Sequence, residues 1–184
     1  MEKWIKTYPK IFSKEECAEL IKWFEILDES NKLVQTKLEG HREFDEVNLN
    51  DFREQSLKMQ LDVYKRFDDI FEKYKQDVKV HEKALPEKSA WEELRIKRYK
   101  AGIGNFLDHV DVGDSISARR FLVFFVYLND VDFGGETEFP ELNLTISPVC
   151  GTMLVFPSTW TFLHRGNVPI SNDKYILGSY KHYV

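Results

Sequence analysis

The sequence predicts an α+β fold, mainly β: an antiparallel sandwich of the jelly-roll type with a helical support at its N-terminal side. Three observations carry this expectation. Apolar residues recur every three or four positions only in the first half of the chain. Short runs rich in Phe, Val, Ile and Tyr, separated by turn residues, fill the second half. No regular alternation of strand and long helix occurs, which argues against a doubly wound sheet.

The elements follow in order. Ser13 and Glu16 form a capping box, opening a short helix that carries Cys17, Leu20, Ile21, Phe24 and Leu27. Residues 28–50, "DESNKLVQTKLEGHREFDEVNLN", are polar and lack a sustained period, so they are expected to be loop with one short strand at most. Asp51 and Glu54 repeat the capping pattern. Beyond them Leu57, Leu61, Tyr64, Phe67, Phe71, Tyr74 and Val78 mark an amphipathic stripe, one long helix or two in succession, ending before Pro86. After Pro86, "LRIKRY", "RRFLVFFVYLN", "LNLTI", "GTMLVFP" and "KYILGSY" read as strands. "FGGE", "SPVCG" and "HRGN" read as the breaks between them. Neither an internal repeat nor a low-complexity linker divides the chain. Residues 1–184 are therefore expected to be one domain, with helical support over about 13–85 and a β core over about 92–184.

Composition narrows the function classes. Of 184 residues, 42% are hydrophobic and 14% aromatic, enough to bury a core and unlike a disordered chain. The net charge of −5 gives no general attraction to nucleic acid or to an anionic membrane, so neither is an expected partner. No segment approaches the roughly 20 apolar residues of a membrane span, and "MEKWIKTYPK" lacks the apolar run of a signal peptide. Cys17 and Cys150 are far apart and suit buried thiols in a reducing compartment. The cytoplasm is the expected location. Gly102 and Gly104 form a GxG fragment, but no helix follows to complete a phosphate cradle.

The chemistry begins at "GNFLDHVDVGD". Residues i and i+2 on an extended strand project to one side, so His109 and Asp111 can offer a nitrogen and a carboxylate oxygen to one ion. Among the five histidines, His164 in "WTFLHRGN" follows a hydrophobic strand and can complete the set. Two histidines and a carboxylate leave three positions of an octahedron free, which suits non-haem Fe(II). Zinc is the competing metal, although the helical HExxH of many zinc hydrolases is absent. Lys174 stands ten residues after His164 within an apolar run. Strand alternation turns Lys174, Ile176, Gly178 and Tyr180 to one face, where a buried ammonium would need an anion. An edge-strand lysine that discourages sheet pairing is the other reading.

Taken in order, "RYKAGIGNFLDHVD", "RRFLVFFVYLNDVDFGGETEFP", "GTMLVFPSTWTFLHRGNVP" and "DKYILGSY" resemble the 2-oxoglutarate- and Fe(II)-dependent dioxygenases, in their prolyl 4-hydroxylase-like branch. The resemblance spans roughly residues 92–181. It implies a distorted double-stranded β-helix, or jelly roll, in which His109, Asp111 and His164 bind Fe(II). Lys174 would then pair with the distal carboxylate of 2-oxoglutarate, while Tyr99, Tyr127 and Thr137 line the cosubstrate pocket; the two tyrosines also read as core aromatics. Arg120 matches a substrate-contact position, although simple parity puts it on the opposite strand face from Tyr127. O₂ is the co-reactant and ascorbate an optional reductant. The implied reaction is hydroxylation of a peptide or protein proline, coupled to oxidative decarboxylation of 2-oxoglutarate to succinate and CO₂. The alternatives are a hydroxylase of a free amino acid or other small metabolite, and a non-catalytic metal-binding jelly roll. Residues 28–50 and 112–119 are expected to cover the pocket. Phe106 and Tyr180 depart from the tyrosine and tryptophan common at these places in the family.

Overall fold

The computed structural model describes residues 1–184. Two helices, α1 (Lys14–Glu29) and α2 (Arg53–Val78), precede most of the sheet. The strands are β1 (Lys6–Tyr8), β2 (Val34–Leu38), β3 (Arg42–Asn48), β4 (Ser89–Trp91), β5 (Arg95–Tyr99) and β6 (Asn105–His109). They continue as β7 (Arg120–Tyr127), β8 (Thr137–Phe139), β9 (Leu144–Ile146), β10 (Met153–Pro157), β11 (His164–Gly166) and β12 (Lys174–Tyr183).

All twelve strands join one curled antiparallel sheet in the order β1-β10-β7-β12-β5-β3-β6-β11-β8-β9, with β2 on β3 and β4 on β12. This is the jelly-roll architecture expected from the strand pattern, curled into a half-barrel whose concave face forms the interior. The alternation of β7 shows how both faces are filled. Leu122, Phe124 and Val126 enter the core beneath the helices, where Phe67, Phe71 and Tyr74 of α2 also lie. Val123 and Tyr127 enter a second, inner core with Phe139, Leu154, Phe156 and Phe162. A strand buried on both sides must be apolar at every position, which accounts for "FLVFFVY". Phe124 alone meets Trp91 edge-on at 4.8 Å and stacks near Phe67 at 5.9 Å. Aromatic pairs of this kind add about 0.5–1.5 kcal/mol beyond the area they bury.

Helix α1 begins as its capping box requires: the Ser13 hydroxyl accepts from the Glu16 N–H, and the Glu16 carboxylate accepts from the Ser13 N–H. Three expectations about the first half need correction. Residues 28–50 hold two strands, not one: β2 and β3 form a hairpin through the pairing Val34↔Glu46 to Leu38↔Arg42. Strand β2 is exposed along most of its length, so backbone pairing holds it without a hydrophobic pattern. Asp51 and Glu54 do not cap α2, because Leu49–Phe52 is wound into a 3₁₀ turn and Phe52, at the cap position, offers no side-chain bond. Leu57 and Leu61 are exposed; Ser56 and Gln60 face inward instead and both donate to the Leu49 carbonyl. Helix α2 is a single rod, ended at its C-cap by Lys79 in the left-handed conformation directly after buried Val78.

The helical layer is bolted to the sheet by Arg98 of β5. This buried guanidinium bonds Asp45 on β3 at 2.6 and 3.1 Å and reaches Glu25 and Asp28 of α1 at 3.3 and 2.8 Å. Gly178 of β12 is a second fixed point, since an added Cβ would lie 2.9 Å from Phe125 Cβ and 3.1 Å from the Phe124 carbonyl. Replacing Arg98 by Met leaves Asp45 buried with only Lys100 beside it. The variant is expected to lose roughly 3 kcal/mol or more in urea denaturation, the usual cost of stranding one partner of a buried pair.

Candidate functional site

Strand β6 delivers His109 at its last residue, and β11 delivers His164 at its first; the two stand opposite each other in the antiparallel register. Each imidazole is oriented by the carbonyl two residues before it. His109 Nδ1 donates to Leu107 O at 2.7 Å, and His164 Nδ1 donates to Phe162 O at 3.0 Å. A carbonyl can only accept, so Nδ1 carries a proton in both rings, and in the neutral tautomer this leaves the Nε2 lone pair for a metal. Phe106 stacks flat on His109, with ring centroids 3.4 Å apart, and Phe156 meets His164 edge-on. Burial first, and then the neighbouring His164, hold the His109 pKa down to about 3. At neutral pH it is a neutral donor.

Asp111 lies past the end of β6, so strand alternation alone does not aim it. Tertiary contacts do. The Tyr180 hydroxyl donates to Asp111 Oδ1 at 2.7 Å, and Arg120 Nη1 donates to the Asp111 carbonyl at 3.2 Å. The other oxygen, Oδ2, is buried without any hydrogen-bond partner and lies 3.5 Å from His164 Nε2. One donor atom from each of His109, Asp111 and His164 lies within 4.8 Å of the others. Two free imidazole nitrogens converging on a bare buried carboxylate oxygen form a coherent divalent-metal donor set. An orphaned buried carboxylate oxygen is otherwise costly, and a cation between the three donors removes that cost.

Beyond these donors the interior narrows to a pocket of about 60 Å³ bordered by Tyr99, Thr137 and Lys174. Lys174 is 2% exposed; its ammonium donates to Gly135 O at 2.9 Å and lies 4.5 Å from the centre of the Tyr99 ring. Gly134 and Gly135 both adopt positive φ, which brings that carbonyl inward at the GGE turn. Burial lowers the Lys174 pKa to about 8, with Glu136 opposing the shift. Lys174, Ile176 and Tyr180 line the interior together, as strand alternation predicts. Tyr127 is fully buried and bonds Thr137 Oγ1 at 2.8 Å, so its hydroxyl meets the pocket through Thr137.

Arg120 faces the wider space outside this pocket. A bulge between Lys181 and His182 makes Arg120 pair with His182 while Leu122 pairs with Lys181, so one residue of β7 drops out of the alternation. That resolves the parity conflict with Tyr127. Its guanidinium is already engaged: it holds Glu92 through two bonds of 2.8 Å and stacks 3.9 Å from the Tyr180 ring centre. The sequence reading missed Tyr180 as a group that orients Asp111, although it flagged the position as unusual. It also missed His41, which meets Phe106 edge-on at 5.4 Å from the β2–β3 turn. The spacing offers no signal for His41, because its proximity depends on the unforeseen hairpin.

Outside the inner pocket, a cavity of about 630 Å³ opens between the hairpin and residues 113–117. Its rim includes exposed Gly113, Asp114 and Ile116, so both segments expected as covers border it.

A family model described as the 2OG-Fe(II) oxygenase superfamily matches residues 94–182. No curated protein sequence matches the chain. Solved structures share the fold. A viral collagen prolyl hydroxylase from Paramecium Bursaria Chlorella virus-1, in its 2OG complex, aligns with a TM-score of 0.72 at 20% identity, covering 98% of this chain and 97% of that one. A prolyl-4-hydroxylase from Pseudomonas putida aligns at 0.66 and 15% identity, covering 98% and 93%. A prolyl hydroxylase from Trichoplax adhaerens, bound to a hypoxia inducible factor peptide fragment, aligns at 0.74 and 13% identity, covering 98% and 84%.

Two outcomes test the geometry. Tyr180→Phe frees Asp111 Oδ1 and is expected to weaken metal affinity about 10–100-fold, read by competition with a chelating indicator. Affinity for 2-oxoglutarate, measured by calorimetry on the metal-loaded protein, is expected to fall as pH rises through about 8, where Lys174 of the ligand-free protein loses its proton. Because this pKa is depressed from 10.5, the ligand-free native state binds fewer protons than the unfolded chain between those values, and its stability rises with pH there. Lys174→Ala removes the pH step and lowers 2-oxoglutarate affinity about ten-fold or more.

Proposed function

Because residues 94–182 belong to the 2OG-Fe(II) oxygenase superfamily, we propose that this chain is a prolyl 4-hydroxylase-like dioxygenase acting on a proline of a peptide or protein. The observation that carries the reading is the shared interior: three unsatisfied metal donors and a buried lysine face one narrow pocket, and a wider open cavity adjoins them. That the viral and Pseudomonas putida proteins sharing this fold are prolyl hydroxylases supports the choice of proline.

His109 Nε2, Asp111 Oδ2 and His164 Nε2 would hold Fe(II). When bound, the metal with 2-oxoglutarate and O₂ supplies the oxidising chemistry, releasing succinate and CO₂ and delivering a hydroxyl group to the substrate. The protein's residues bind and orient. Lys174 pairs with the distal carboxylate of the cosubstrate by a charge-assisted bond. Thr137, held by Tyr127, and the Tyr99 ring border the same pocket, and Tyr99 also covers one side of the Lys174 ammonium. Arg120, anchored on Glu92, acts as a positioning residue for Asp111 and Tyr180 and presents its remaining edge to the outer cavity. Phe106, Phe139 and Phe156 exclude water around the two imidazoles. No side chain is required to act as a general base.

The open mouth favours a chain segment over a small metabolite, since an enclosed pocket would suit a free amino acid better. The test is incubation of Fe(II)-loaded protein with 2-oxoglutarate, O₂ and proline-containing peptides, followed by mass spectrometry. A gain of about 16 Da on proline, one oxygen atom, with stoichiometric succinate and loss of both in His109→Ala, is the expected result. Oxidation of another residue, or of free proline alone, would overturn the peptide-prolyl assignment.

A further inference from the structure

The outer cavity is bordered by two cations that make no ion pair, with Glu46 and Asp111 as the acids nearest to them. On β3, alternation turns Arg42, Phe44 and Glu46 into the cavity; on β5 it turns Arg95 and Lys97 the same way. The charged groups around this space are mostly committed. Arg95 pairs with Glu93, Arg120 with Glu92, and Asp114 accepts from the backbone of Ile116 and Ser117. Glu46, the cross-strand neighbour of Lys97, accepts from the Thr36 hydroxyl at 2.9 Å. Lys97 forms no ion pair or hydrogen bond within the protein; its ammonium lies 4.6 Å from the centre of the Phe44 ring. Arg42 forms none either. Its guanidinium lies 5.7 Å from the centre of the Phe106 ring, and its Nε is buried without a partner. Lys97 borders both the outer cavity and the inner pocket, so it stands where the two meet, beside the metal donors.

We propose that Lys97 and Arg42 bind a carboxylate of the substrate close to the carbon that is oxidised. An ammonium and a guanidinium that make no ion pair of their own at a cavity wall keep donors open to an entering anion, which would bind them by charge-assisted hydrogen bonds. The aromatic backing from Phe44 and Phe106 holds both cations against the wall while leaving donors free. The inference rests on the oxygenase reading of the site and adds the chemistry of the substrate: an acidic residue beside the target, or the α-carboxylate of a free amino acid. Lys174, at the far end of the inner pocket, is a separate receptor reserved for the cosubstrate.

Binding separates this proposal from the reaction itself. Mn(II)-loaded protein with 2-oxoglutarate is titrated by calorimetry with a capped Gly-Asp-Pro-Asp-Gly peptide and its Asn isostere. The same measurement uses the peptide with alanine for proline, and free L-proline against L-prolinamide. In at least one pair the acid is expected to bind about ten-fold more tightly than the amide, the worth of a charge-assisted bond. That pair identifies the source of the carboxylate. Lys97→Gln should abolish the ratio and Lys97→Arg should preserve it, while Kd for 2-oxoglutarate stays within two-fold. Equal binding of acid and amide in every pair, no binding of any probe, or a Lys97→Gln effect on 2-oxoglutarate instead would overturn it. Acid preference in the alanine peptide, with no hydroxylated proline found, would uphold the carboxylate receptor and defeat the prolyl reading alone.

Discussion

A carboxylate removed from water has two oxygens to satisfy, and the interior of this protein satisfies only one of Asp111's. Tyr180 donates to Oδ1, while Oδ2 is left bare 3.5 Å from an equally uncommitted His164 nitrogen. Leaving a buried anion so exposed costs free energy, and the surrounding residues keep it from relaxing elsewhere. Arg120 grips the Asp111 carbonyl and lies over the Tyr180 ring, and Glu92 fixes Arg120 in turn. The chain Glu92–Arg120–Tyr180–Asp111 therefore connects the outer cavity to the donors, and a divalent cation is the group that resolves its remaining imbalance.

The fold makes that imbalance sustainable. Strands β7 and β12 are covered on one face by α2 and α1 and on the other by the curled sheet, so the polar interior is walled by aromatic rings. Within that wall the positive charges occur at distinct depths. Lys174 lies deepest with a single carbonyl partner, Lys97 stands at the junction of the two spaces, and Arg42 borders the outer one. A dicarboxylate and a second, separate anion can thus be held without competing for one receptor. Arg98, on the opposite face of β5 from Lys97, is by contrast fully paired and serves attachment of the helices. One strand carries a paired and an unpaired cation on alternate faces.

Much of this was legible in the chain because it depends on period. Strand alternation correctly turned Lys174, Ile176 and Tyr180 inward, and the helical stripe of Phe67, Phe71, Tyr74 and Val78 marked the face of α2 that meets the sheet. Ser13 and Glu16 disclosed the start of α1 because a cap is a local bond. The hairpin of β2 and β3 was not legible in the same way. Strand β2 buries little, so hydrogen bonds to a partner hold it and no apolar pattern records it. Leu57 and Leu61 misled for the converse reason: the first turns of α2 face the Leu49 carbonyl, where Ser56 and Gln60 are more useful than leucine.

Taken alone, the sequence determined the fold class, the two helices and the main strands of the second half, and it singled out the His109, Asp111 and His164 set, since these follow from residue type and short-range spacing. Tertiary structure decided their aim. Asp111 lies beyond its strand and is turned by Tyr180, 69 residues away. Arg120 reaches the cavity through a bulge that exists only because β12 pairs with β7. Lys97 and Arg42 make no ion pair because Glu92 and Glu93 are held by other arginines and Glu46 is turned to the Thr36 hydroxyl. Whether a charge is spent or available depends on the neighbours that the folded chain brings to it, and neighbours distant in sequence leave no period behind.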